Sequence, residues 1–305
     1  MNDTTFTAPA VDLSNFSISS LTGAGLIVNI SLSVWTGRKL DKRVSEEVDQ
    51  AKSTRTRAGN YHKNLLAGSG KLEQITKIAN ACRAWFYSVT QPWGDNGDRL
   101  LAVSTLVEFK SRLTDYERQI GVAVNDFLGE YDTQVAAAAF QLGDLFNRED
   151  YPTRESIESK FAFRYSITPL PQAGDFRVDI GNDGLRQLQQ QYESILHERV
   201  TSANNHAWEC LYDALSKMSE RLSDDIDENG DVKRKIFRDS LIENAVDTCN
   251  RLKDFNITGD IRMDEMRRQL EDALRGINAQ TLRDSDHLRQ QTKAKVDAML
   301  DKFSL

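Results

Sequence analysis

The segment DIDENGDV, Asp225 to Val232, has the spacing of a calcium loop, with Asp225, Asp227 and Asn229 at positions one, three and five and Gly230 at the sharp turn. A hard cation held this way also needs a bidentate glutamate at position twelve. Ile236 stands there, and Lys233 brings positive charge to position nine, so Asp225 to Ile236 reads as a tight acidic turn between two helices. A second near-match, LAGSGKL at 66–72, sets Gly70 beside Lys71 as in a phosphate loop. Leu65 replaces the first glycine of that pattern and Leu72 the hydroxyl residue that would hold magnesium, so ATP hydrolysis is not expected. His62, His197, His206 and His287 are scattered, and Cys82, Cys210 and Cys249 form no CxxC pair. The thiols read as buried groups in a reducing compartment. With no triad and no paired-carboxylate signature, we expect no catalytic residue, no cofactor and no metal ligand, in a protein that is not an enzyme.

Charge is the remaining pattern with chemistry in it. Between residues 38 and 63, Arg38, Lys39, Lys42, Arg43, Lys52, Arg55, Arg57 and Lys63 outnumber Asp41, Glu46, Glu47 and Asp49. Such a stripe holds phosphates by releasing their condensed counterions. A solvated helix face has the same composition. The net charge of −7 excludes a protein whose whole surface is given to nucleic acid, but leaves room for a local basic patch. Trp35 closes the first strand just before Thr36, Gly37, Arg38 and Lys39, a specific turn leaving a sheet. An aromatic at a strand end is ordinarily core packing.

The elements that must position these groups follow from periodicity. In LIVNISLSVW, Leu26, Val28, Ile30, Leu32 and Val34 alternate with Asn29, Ser31 and Ser33, which predicts a strand over 26–35. FAFRYSIT alternates through Phe161, Phe163, Tyr165 and Ile167; Pro169, Pro171 and Gly174 turn the chain, and Phe176, Val178 and Ile180 alternate again. A lone hairpin is marginal in water, so residues 26–35 and 160–180 are expected to form one small antiparallel sheet, with an all-helical bundle as the alternative. The rest reads as helix, giving a mainly α chain with long antiparallel amphipathic helices. The series Leu106, Phe109, Leu113, Tyr116, Ile120, Phe127, Tyr131 and Val135 predicts a helix over 102–147. Leu185, Leu188, Tyr192 and Ile195, then Ala207, Leu211, Leu215, Met218 and Leu222, predict another over 185–222, antiparallel to the first and with a coiled-coil-like seam. Shorter helices are expected over 43–58, 71–90 and 232–253, QPWGDNGD at 91–98 is a turn, and one charged helix covers 261–303.

Three regions result: a flexible N-terminal arm at 1–25, a main domain at 26–223 and a C-terminal helical segment at 224–305. The last helix places Met263, Met266, Leu270 and Leu274, then Val296, Met299, Leu300 and Phe303, on an apolar seam that must find a neighbour. That neighbour is either the helix at 185–222 of the same chain, as in bundles that satisfy themselves, or a second copy or protein partner, for which methionine faces adapt readily and these eight residues are the expected surface. The N-terminus has neither a basic n-region nor an apolar h-region, and no stretch reaches the length of a membrane span. A cytoplasmic protein without membrane contact is the expectation.

VNISLSVWTGRKLDK at 28–42 and FAFRYSITPLP at 161–171 together resemble a family of phages and integrative mobile elements whose function is unknown. In that family a strand ending in a Ser-x-Trp-x-Gly-x-Lys turn precedes helical segments, and a Phe-Gly-Phe-like strand follows them; here Ala162 replaces the glycine. The resemblance rests on these two segments and transfers no functional residue. Family members tend to be encoded beside a MoxR-type AAA+ ATPase and a protein with a von Willebrand A-like domain. It therefore implies an interaction or assembly protein in the host cytoplasm, serving as an adaptor of a remodelling machine. The basic stripe gives the other expectation, a nucleic-acid-binding accessory protein of phage replication or recombination.

Overall fold

Side chains that alternate between apolar and polar fit a pleated, half-buried surface. In the structure, a computed structural model that describes residues 8–9, 23–170, 181–226 and 232–303, the first such run is β1, Gly25–Ser33. There follow, in chain order, β2 (Arg38–Leu40), α1 (Lys42–Ala51), β3 (His62–Asn64), α2 (Gly70–Val89), β4 (Gln91–Pro92), β5 (Arg99–Ala102), α3 (Leu106–Leu142), α4 (Arg154–Glu158) and β6 (Ala162–Pro169). The second half contains α5 (Gly181–Leu222), β7 (Asp224–Ile226), β8 (Val232–Arg234), α6 (Ser240–Phe255), α7 (Ile261–Leu274), α8 (Ala279–Asp284) and α9 (Asp286–Leu300). The fold is mainly α with a small antiparallel sheet of order β4-β5-β1-β6. Strands β1 and β6 are neighbours, as the two alternating runs require. The expected return arm of the second hairpin, Phe176, Val178 and Ile180, lies outside the described residues, as does most of the arm at 1–25. None of the described helices is long and apolar enough to cross a membrane.

Sequence reading missed β4 and β5, which pair antiparallel around the turn at 93–98 and extend the sheet from Gly25↔Ala102 to Val28↔Arg99. The turn closes because the amides of Trp93 and Gly94 both donate to the Asp98 carbonyl, at 3.1 and 3.3 Å.

The chain divides into two compact units, one of Met1–Asn29, Ser88–Leu106 and Ser166–Leu305, and one of Ile30–Tyr87 and Val107–Tyr165. We call them the terminal and the inner unit. In the terminal unit α5 presents Ala207, Leu211, Leu215, Met218 and Leu222 to a core that α6, α7 and α9 complete. The single helix expected over 261–303 is three helices. Gly276, in the left-handed region at φ 72°, ends α7; Asn278 and Thr281 form a reciprocal capping box at the start of α8, and Ser285 caps α9 by accepting from the Leu288 amide. These breaks fold the chain back on itself. As a result the seam expected to face a partner is filled from within: Met263, Met266, Leu270, Leu274, Val296 and Met299 are buried, and Leu300 and Phe303 pack against them. Nor is 224–305 a separate segment, since it shares that core with α5. Arg289 ties the two together; its buried guanidinium donates to the carbonyls of Leu222, Arg221, Ser223 and Lys235 at 3.0 to 3.3 Å and lies over the Phe237 ring.

The inner unit is built from α2 and α3. Leu72, Ile75, Ala79, Cys82 and Phe86 recur at threes and fours along α2 and are buried. On α3 the buried face runs from Phe109 to Ala138 and includes every residue from Phe109 to Val135 that the periodicity picked out. Trp85 stacks on Phe109 at 5.3 Å, and Ile157 of α4 is fully buried in the same unit. The two longest helices, α3 and α5, belong to different units, and each buries its apolar face in its own unit's core. On α5 the seam also shifts by one position, since Leu196 is buried and Ile195 is exposed.

Candidate functional site

The W-T-G-R-K turn stands where β1 leaves the sheet for the inner unit's core. Trp35 packs between Phe127 and Tyr131 of α3, with ring centroids 6.2 Å from each, so its indole is core packing. Gly37 follows in the left-handed region at φ 64°, and a Cβ built there would lie 2.8 Å from the Leu72 Cδ2 of α2. Only glycine combines that dihedral with that approach. The Gly37 carbonyl accepts from the Leu65 amide at 2.7 Å, and β2 then pairs with β3 in the register Arg38↔Asn64, Lys39↔Lys63 and Leu40↔His62. This two-stranded ribbon, missed in the sequence, turns the Arg38 and Lys39 side chains to solvent.

Asp41 ends the ribbon and caps α1, accepting from the Val44 amide at 3.2 Å. That hydrogen bond holds its carboxyl below the usual range against the opposing effect of burial, with help from Lys63. Lys42 and Arg43 occupy the first turn, and Arg43 spends its charge locally, 3.7 Å from Glu47 and donating to the Asp144 carbonyl at 3.2 Å. The helix expected to reach 58 stops at Ala51, because Ser53 turns left-handed at φ 52° and the chain folds back onto Asp49. The amides of Thr54 and Ala58 donate to the Asp49 carbonyl and carboxylate, at 3.0 and 3.2 Å. All residues from 51 to 60 are exposed, so this loop carries Lys52, Arg55 and Arg57 into solvent.

Lys63 does not belong with them. It is buried, 2.7 Å from Asp150 and 3.3 Å from Asp41, and donates to the Leu145 carbonyl at 2.8 Å. Burial opposes its charge, but the two carboxylates outweigh burial and raise its pKa above the ordinary value. A lysine so committed joins loops of the inner unit and is not free to meet a phosphate. The stripe is thereby reduced to Arg38, Lys39, Lys42, Lys52, Arg55 and Arg57 as exposed cations, none with an ion-pair partner among the described residues.

Beside the turn, β1, β2 and α2 line an open cleft of about 690 Å³. Its apolar lining is Leu32, Val34, Trp35, Leu66 and Leu72, and its cations are Arg38, Lys77 and Arg83. Arg83 is partly engaged, donating to the Leu32 carbonyl at 2.8 Å and to Asn80 at 3.0 Å. Asn64 and Glu73 add an amide and a carboxylate to the same lining. Of these residues the stripe anticipated Arg38 alone. Glu73, Thr76 and Lys77 occupy the polar face of α2 and look in sequence like any solvated face.

The other motifs resolve into structural roles. Lys71 of the phosphate-loop near-match pairs with Glu130 at 3.3 Å and Asp126 at 3.7 Å. Asp225 sits on β7, paired with Lys235 at 3.2 Å, while Asp227, Asn229 and Gly230 lie outside the described residues. His206 faces the Cys210 sulfur at 3.7 Å, and burial pushes its pKa down and that of the Cys210 thiol up, so neither is an activated group. Among the described residues no group of three or more histidine, cysteine, aspartate or glutamate side chains could hold a metal ion. The chain matches no protein-family model, no curated protein and no solved structure.

Proposed function

We propose that this chain is a non-enzymatic, nucleic-acid-binding accessory protein of a phage or other mobile element, holding a phosphate backbone on the surface from Arg38 to Arg57. One observation carries this reading: six exposed cations on the ribbon, α1 and the following loop have no internal ion-pair partner among the described residues. Cations already paired within a protein gain little from phosphate, whereas unpaired ones exchange the counterions condensed on nucleic acid and bind with the entropy of their release. An acidic remainder restricts that attraction to this stretch of the chain. Fluorescence anisotropy with a labelled oligonucleotide tests it, comparing wild type with the triple variant Lys52→Ala, Arg55→Ala, Arg57→Ala. The variant is expected to bind at least about tenfold more weakly at low salt. Equal affinity in the two proteins would reject the reading.

The adaptor reading keeps one observation of its own. Val122, Gly129, Ala136 and Phe140 share an exposed stripe of α3, and Phe140 is 91% exposed. An aromatic so placed gains by burial against a partner such as a MoxR-type AAA+ ATPase or a von Willebrand A-like protein. Light scattering of the chain with that ATPase, before and after Phe140→Asp, tests it; the expected outcome is a joint mass that the substitution abolishes.

A further inference from the structure

We propose that the cleft beside the W-T-G-R-K turn seats one unstacked nucleotide of a single strand, its phosphate on Arg38 and Lys77 and its base against the floor of Leu32, Val34 and Leu72. The inference rests on the nucleic-acid reading above and names the form of nucleic acid that the surface takes.

Size is the first ground. At about 690 Å³ the cleft falls within the range of small-molecule pockets, large enough for a nucleotide, while the stacked bases of a duplex cannot enter a concavity of that kind. The second ground is the division of its lining. The apolar part of the lining, Leu32, Val34, Leu66 and Leu72, suits the face of a base, since every base has a face to bury whatever its sequence. The cations stand on two different elements, Arg38 on β2 and Lys77 on α2. Both are exposed, and neither has an ion-pair partner among the described residues.

Continuity is the third ground. Arg38 belongs to the cleft and is also the first residue of the exposed basic series, so a strand tracking Lys39, Lys42 and the 52–57 loop passes the mouth of the cleft. A carboxylate repels phosphate, so Glu73 directs the phosphate to Arg38 and Lys77 and the base edge toward itself. There a carboxylate accepts from the amino groups that cytosine, adenine and guanine have and thymine lacks.

The experiment compares a labelled oligo-dC strand with a duplex of the same length, by anisotropy, for wild type, Lys77→Ala and Lys77→Arg, and adds calorimetric titration of cytidine monophosphate. Lys77 is an exposed helix residue, so its variants are expected to keep the wild-type circular dichroism melt. Single strand favoured over duplex by about tenfold, with the preference lost in Lys77→Ala and restored in Lys77→Arg, supports the cleft. Equal binding of strand and duplex, unchanged in Lys77→Ala but lost in the Lys52, Arg55, Arg57 triple variant, overturns the cleft and leaves the backbone reading standing. Binding of cytidine monophosphate that requires Lys77, with no oligonucleotide binding, makes the cleft a free-nucleotide site and overturns both the single-strand assignment and the backbone reading. No binding of any of these probes overturns both.

Discussion

Two lysines fourteen residues apart illustrate how burial decides what a charge can do. Lys63 and Lys77 carry the same group, yet Lys63 is enclosed by Asp41, Asp150 and the Leu145 carbonyl while Lys77 is exposed at a cleft with no ion-pair partner among the described residues. Removing one partner of a buried ionic cluster leaves the other charges uncompensated and costs about 3–5 kcal/mol. Lys63→Met is therefore expected to lower the urea midpoint strongly, whereas Lys77→Met should leave it unchanged within about 0.5 kcal/mol. Gly37→Ala meets both a left-handed dihedral, costing roughly 1–2 kcal/mol, and the side chain of Leu72. Because the clash needs both partners, Gly37→Ala with Leu72→Ala should cost less than the sum of the single changes, measured as a double-mutant cycle. His206 gives a pH dependence. Burial, with Arg99 beside it, depresses its folded pKa below the ordinary 6.5. The unfolded chain then binds the extra proton, so this contribution to stability is present above pH 6.5 and is lost as pH falls through the folded pKa. Urea titrations from neutral pH down to about 5 should show wild type losing stability more steeply than His206→Gln.

Caps and breaks, more than propensity, set the elements of this chain. Asn278 satisfies the free amide of Thr281 and so starts α8; Asn278→Ala is expected to cost about 1 kcal/mol by urea unfolding, and Asn278→Ser much less. That capping box also explains why periodicity alone was insufficient. The apolar positions of 261–303 repeat as one helix would repeat them, but Gly276, Asn278 and Ser285 are punctuation that cuts it into three, and the cuts let the seam close on α5 and α6. Strand β1, the strand at Ala162–Pro169 and the buried faces of α2 and α3 were legible because each repeats its own period over many residues. Strands β2, β3, β4 and β5 were not, since two to four residues hold no period; β2 pairs with β3 across the whole of α1, and β5 takes β1 as a second, distant partner. The site divides the same way. A run of cations can be counted in a sequence, but the burial of Lys63 depends on Asp150, and the cleft depends on α2 lying beside the turn, neither of which is local.

At the scale of the molecule, an acidic chain places six exposed cations, without an ion-pair partner among the described residues, in one stretch of one unit, and the proposed activity is a property of that contrast. The apolar seam along α7 and α9 is covered by the chain's own core. The measurement that bears on this most directly is the salt dependence of the observed association constant for a single-stranded oligonucleotide, taken between about 50 and 200 mM salt. Six phosphates neutralised on a single strand give a slope of log K against log salt of about −4, and removal of Lys52, Arg55 and Arg57 should bring it to about −2. A wild-type slope near zero, or one that the triple variant leaves unchanged, would contradict the assignment of phosphate contact to this surface.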